Sequence, residues 1–174
     1  MKLETKHIVV ENLRFFISVT QDNLGLPWDW CEGHGPVRPA HTGPKHPHER
    51  MLSKYWYYDW KAALEKAATE GWGAEDMPEG LTKRQAAEYV VQKDFDYLKA
   101  WANDDWTYSF VTVQCLEDKD YEDSVGGVEY WFYKDNPYML EMATDIARSL
   151  AKQYASEQAE KAYWECRDVV TVCI

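Results

Sequence analysis

Trp106–Glu117 reads WTYSFVTVQCLE, and its alternation decides the fold. Trp106, Tyr108, Phe110, Thr112, Gln114 and Leu116 fall on one face; Val111, Val113 and Cys115 fall on the other. A period of two in β-branched and aromatic residues specifies a strand. Apolar groups on both faces predict a central position in a sheet. Asp118–Ser124 then reads as an acidic turn, and Val125–Tyr133 returns as a second strand. Gly126-Gly127 marks a turn or bulge within it. Together these stretches predict a hairpin.

Upstream of the hairpin, Thr82–Asn103 is the clearest helix. Thr82 with Gln85 three residues on is a capping box. The spacing places Ala86, Tyr89, Val90, Lys93, Tyr97, Ala100 and Trp101 on the inward stripe. A shorter helix is predicted within Tyr55–Gly71, where Trp60, Ala63, Leu64 and Ala67 recur at i, i+3, i+4 and i+7. Asp59 is its expected N-cap, and Trp72 is expected to fold back on it. His7–Thr20 reads as two short strands or one bent strand, with a turn at Glu11-Asn12. Gln21–Ser53 holds five prolines and four glycines, a density that predicts a long irregular Pro/Gly/His-rich loop. Trp28 and Trp30 would pin it to the body.

Downstream, Asn136 as cap and Pro137 at the first position open a last helix. Leu140, Ala143, Ile146, Ala147, Leu150 and Tyr154 form its stripe, and the pattern extends to about Trp164. Val169–Ile174 (VVTVCI) reads as a terminal strand. The expectation is an α+β fold: one domain over residues 1–174, with an antiparallel or mixed sheet of four to five strands and about three helices packed on it.

The 174 residues carry a net charge of −11, and 15% of them are aromatic. From Asp94 to Asp145 thirteen acids face only Lys99, Lys119 and Lys134, so one stretch holds nearly all of the charge. A surface of that sign disfavours direct nucleic-acid binding and attracts basic partners. No run approaches the roughly 20 apolar residues of a membrane helix, and no basic-then-apolar N-terminal segment is present. These features predict a cytoplasmic protein. The four cysteines show no CxxC spacing and are expected as free thiols.

Two groups of residues are candidates for a site. The first is the loop set Cys31, His34, His46 and His48, which are zinc-type ligands at spacings that match no strong zinc motif. They define a reading as a small metal-stabilised or catalytic domain. The second is Asp104, Asp105, Glu117, Asp118, Asp120, Glu122, Asp123 and Glu129. These carboxylates on the hairpin and its approach could meet a basic groove on a protein partner in place of nucleic-acid phosphates. No GxSxG, HExxH or phosphate-loop motif is present, so no catalytic residue is assigned. Exposed aromatics such as Trp56, Tyr58 and Trp131 would serve a third role, as contacts of a homo-oligomer or structural assembly.

The runs GHGPV (Gly33–Val37), ERML (Glu49–Leu52) and YYDWKAALEKAATEGWG (Tyr57–Gly73) carry a resemblance. So do DFDYLKAWANDDWTYSFVTVQCLED (Asp94–Asp118) and YMLEMATDIARSLA (Tyr138–Ala151). Over roughly Phe15–Ala151 the chain resembles a group of small acidic proteins from tailed bacteriophages and related mobile elements. His41, His46, His48 and the C-terminal CRDVVTVCI depart from that pattern. The group carries no assigned activity and no agreed catalytic residues. The resemblance implies a non-enzymatic, phage-encoded accessory protein in a bacterial cytoplasm. Such a protein would bind and inhibit or modulate a host protein, including restriction or CRISPR defence machinery.

Overall fold

A computed structural model describes every residue except Leu24, Cys31, Glu32, Gly71, residues 73–76, Cys173 and Ile174. The side chains of Trp30 and of residues 167–172 are also outside the described set. The class is α+β, as expected, and its strands divide between two antiparallel sheets of four and three strands. The chain forms two compact units, one of residues 1–23 and 107–174, the other of residues 24–106.

The first unit is built on β1 (Lys2–Val10), β2 (Leu13–Gln21), β6 (Trp106–Cys115) and β7 (Glu122–Trp131), in the order β1-β2-β6-β7. The hairpin is present, and β6 is an interior strand as its sequence predicts. The face of Val111, Val113 and Cys115 is closed to solvent, whereas on the other face Trp106 is buried and Phe110 is exposed. Register explains the burial. Phe15, Ile17 and Val19 of β2 lie directly opposite Cys115, Val113 and Val111, so six apolar side chains form one cross-strand layer. The helix α4 (Pro137–Val172) covers that layer with Met139, Ala143, Ala147 and Ala151. Their spacing of four keeps them on one stripe, and the alanines let the helix approach the sheet closely.

Glu11 and Asn12 join β1 to β2, with φ of 50° and 66°. Positive φ at both central residues is the type I′ geometry whose twist matches the flanking strands. Neither residue is the best for it, because a left-handed conformation costs a non-glycine residue about 1 kcal/mol or more. The double replacement Glu11→Asn, Asn12→Gly is therefore expected to stabilise this unit by about 1 kcal/mol. Urea unfolding followed by far-ultraviolet circular dichroism measures the gain.

The second unit begins with the short α1 (Pro27–Trp30). The stretch read as an irregular loop in fact contributes β3 (Val37–Pro39) and β4 (Glu49–Ser53), which flank β5 (Trp56–Asp59) in a sheet ordered β3-β5-β4. These strands are too short, and too interrupted by proline, to show a period in sequence. Trp28 packs edge-on to Trp56 and Trp101, at 4.9 and 5.3 Å between ring centres, and pins the segment as anticipated. The helices α2 (Trp60–Glu70) and α3 (Lys83–Ala102) complete the core. Asp59 caps α2 by accepting from the Ala62 amide at 3.0 Å, and the Thr82–Gln85 capping box opens α3. Trp72 lies against this core, with Lys66 Nζ 5.9 Å from its ring centre.

Two helix readings are corrected. The buried stripe of α3 is Ala87, Val90, Val91, Phe95 and Leu98; only Val90 is shared with the expected set. The large apolar Phe95 and Leu98 dictate the rotation, and Lys93 is exposed. At the C-terminus residues 169–172 continue α4 rather than forming a strand. Among the described residues no helix is long and apolar enough to cross a membrane.

Candidate functional site

The hairpin presents most of the expected carboxylates. Glu117, Asp120, Glu122, Asp123 and Glu129 are exposed, and Asp118 is half-buried. Their roles differ. Glu117 is committed to Arg14, accepting from its backbone amide at 2.9 Å and from Nε at 2.8 Å. That contact holds its carboxyl down at about 2. Asp118 accepts from the Asp120 amide and shapes the turn, at 3.2 Å. Glu122 accepts from Gln114 Nε2 at 2.8 Å. Lys119 is the only base between Glu117 and Glu129. Asp104 and Asp105 belong to the other unit, where they form the corner after α3. Asp104 has φ 61°, and the Asp105 amide donates to Ala100 O at 2.9 Å.

Gly126-Gly127 forms the expected irregularity. Gly127 has φ 72° and its amide donates to the buried Asp22 carboxylate at 3.2 Å. A Cβ on Gly126 would stand 2.5 Å from the Phe110 ring. Beyond this point β7 and the start of α4 enclose a groove of about 670 Å³. Asn136 sets its end. Its side chain accepts from the Trp131 amide at 2.9 Å and donates to Trp131 O at 3.1 Å. The Asn136 side chain thus fastens the strand end, and its backbone carbonyl starts the helix by accepting from the Leu140 amide at 3.2 Å. A second hollow of about 440 Å³ continues along α4 and shares Tyr138 and Met142 with the first.

The loop histidines go elsewhere. Among the described residues no three His, Cys, Asp or Glu side chains are grouped so as to hold a metal ion. His34 Nδ1 lies 2.6 Å from Asp94 Oδ1, and because a carboxylate only accepts, this nitrogen carries the hydrogen. His46 and His48 stack on each other, 5.6 Å between ring centres, and His48 Nε2 lies 3.5 Å from Asp59. Cys31 lies outside the described residues. Of the aromatics assigned to assembly, Tyr58 is closed to solvent. Trp56 and Trp131 are half-buried.

Sequence reasoning missed the role of Asp94, counting it with the acidic face. Its carboxylate is 7% exposed and faces three donors: His34 Nδ1, the Gly35 amide at 2.9 Å and Tyr58 Oη at 2.7 Å. The signal was present, because Asp94 falls between Val91 and Leu98 on the helix stripe that turns inward. Burial, and then the adjacent carboxylate, push the Tyr58 hydroxyl far above the ordinary phenol range, so it stays a donor. His34 stacks on Tyr97 with rings 13° from parallel, and Lys66 Nζ donates to His34 O at 3.2 Å. The cluster fastens the His34-Gly35 turn to α3 and β5. Gly35 admits the contact, since a Cβ there would meet Tyr58 Oη.

Comparison with family models, with curated proteins and with solved structures finds no match.

Proposed function

We propose that this protein is a non-enzymatic binding protein that uses the carboxylates of its β6–β7 hairpin to engage a basic surface on another protein. One observation carries the reading: Asp118, Asp120, Glu122 and Asp123 stand on a hairpin whose inner face is locked into a core. A charge array on such a support does not have to be ordered on binding, so less entropy is lost. The resemblance to small acidic phage proteins makes a host protein with a nucleic-acid-binding groove the expected partner, with carboxylates standing in for phosphates. The outcome for the host protein would be inhibition or modulation, as in anti-defence proteins.

The triple variant Asp118→Asn, Asp120→Asn, Glu122→Gln tests this directly. The tagged wild type should capture a bacterial protein from lysate at low salt and release most of it when the screening length is cut well below about 8 Å. The variant should capture little at either salt. Partners held equally by both proteins, or retained at high salt, would refute the hairpin as the contact.

A further inference from the structure

We propose that the groove between β7 and the start of α4 is a docking site for a basic, amphipathic segment of a partner protein. This rests on the protein-binding reading above and adds a second, apolar contact to it. The floor is hydrophobic: Met139 closes it, Met142 and Trp131 line it, and Tyr138 stands at its side, 66% exposed. Phe132 and Tyr133 follow β7 directly and are 38% and 83% exposed. Three large aromatics within seven residues are thus open to solvent at one end of this unit. An exposed aromatic group beside a methionine-lined hollow is the usual composition of a protein contact, because aromatics give area at low entropic cost and methionine adapts its shape.

Charge selects the occupant. Glu129 and Asp135 rim the first hollow; Asp123, Glu141 and Asp145 rim the second. Arg148 pairs with Asp145 at 2.7 Å, and among the described residues Lys134 is the one cation that lines either hollow. Lys134 Nζ lies 3.9 Å from the Trp131 ring centre. The chain therefore already places its own ammonium on this aromatic face, the position an arginine or lysine of a partner would take. A second copy of the chain is a poor occupant, since it brings a net charge of −11 to an acidic rim. Nucleic acid and anionic membrane are disfavoured for the same reason. A segment that alternates basic and aliphatic side chains satisfies rim and floor together.

The probe is a short fluorescein-labelled peptide alternating arginine and leucine, titrated with the full chain and read by fluorescence anisotropy. Binding is expected at low salt, and amide shifts should concentrate between Glu129 and Met142. Tyr138→Ser and Glu141→Gln, both at exposed positions, should together weaken it about tenfold or more. Serine in place of leucine should weaken it similarly, and glutamate in place of arginine should abolish it. Equal binding of the serine peptide, or no binding of the leucine peptide at low salt, overturns the proposal. Affinity unchanged in the Tyr138/Glu141 variant but lost in the Asp118/Asp120/Glu122 variant also overturns it, and leaves the hairpin reading standing. A concentration-dependent dimer abolished by Tyr138→Ser would assign the groove to self-association and overturn it as well.

Discussion

Asp94→Ala is expected to destabilise the second unit by about 4 kcal/mol, because it strands two fully buried donors and releases a third. Gly35 and Tyr58 are buried, whereas His34, whose side chain is 15% exposed, can recover part of its loss. Asn is a milder replacement, since its oxygen can keep the Gly35 and Tyr58 bonds while its amide nitrogen donates to His34 Nδ1 in the other tautomer. The loss is a large share of the roughly 5–15 kcal/mol that stabilises a typical domain. Urea unfolding followed by tryptophan fluorescence will report it selectively, as seven of the nine tryptophans lie between Leu24 and Trp106. Tyr58→Phe alone should cost about 1.5 kcal/mol, and almost nothing once Asp94 is gone. Strictly additive costs in that double-mutant cycle would show that the hydroxyl and the carboxylate do not act as a pair.

Arg38→Met should lower the urea midpoint of the second unit at neutral pH, because it leaves the Glu49 carboxylate without its cation. Arg38 reaches from β3 across the Tyr57 ring, 4.9 Å from its centre, to grip Glu49 of β4 with Nε at 2.5 Å and Nη2 at 2.8 Å. Glu49 is 3% exposed at its side chain, and it also accepts from the His46 amide at 2.7 Å. Hydrogen bonding to Arg38 holds the Glu49 carboxyl down at about 2, against the opposing effect of burial. A carboxylate with a depressed folded pKa contributes stability that is complete above its unfolded pKa of about 4.3. That contribution is lost as pH falls towards 2. The wild type should therefore lose stability from about pH 5 downward. In Arg38→Met burial acts on Glu49 without the guanidinium that offset most of it, so protonation relieves the variant. The gap between the two proteins should narrow on acidification. A gap that stays constant from pH 7 to pH 3, in about equal steps of urea midpoint, would mean that the pair is not what the substitution removes. Glu49→Gln should cost less than Arg38→Met, because Arg38 is 26% exposed and can return to water.

Features written in local periodicity were legible. The β6–β7 hairpin, the Thr82 capping box, the Asp59 cap and the Ala143–Ala147–Leu150 stripe each announce themselves within a few residues. The three-stranded sheet did not, because β3 and β5 have three and four residues and their partners are set by tertiary contacts such as Arg38–Glu49. For α3, the aromatic residues Tyr97 and Trp101 drew the stripe to the wrong side. Phe95 and Leu98 are the residues that complete the core, and the acid between Val91 and Phe95 is buried because three donors converge on it. The hairpin carboxylates were legible as a group. Whether each is spent on an internal contact was not, since Glu117 looks no different in sequence from Asp120, yet only Glu117 meets Arg14. The groove was invisible for a related reason: it exists only once Asn136 fastens the end of β7 to the start of α4.

The 36 residues of α4 span about 54 Å, while the nine- or ten-residue strands beneath it reach only about 30–35 Å. From Ala159 to Cys166 every residue is exposed, Tyr163 and Trp164 among them. One continuous rod therefore has two thermal regimes. Its root melts only with the core, whereas its overhang can fray turn by turn under helix–coil rules. Deuterium uptake would grade smoothly along a single element, and a protease would find its earliest cuts in it between Ala159 and Cys166.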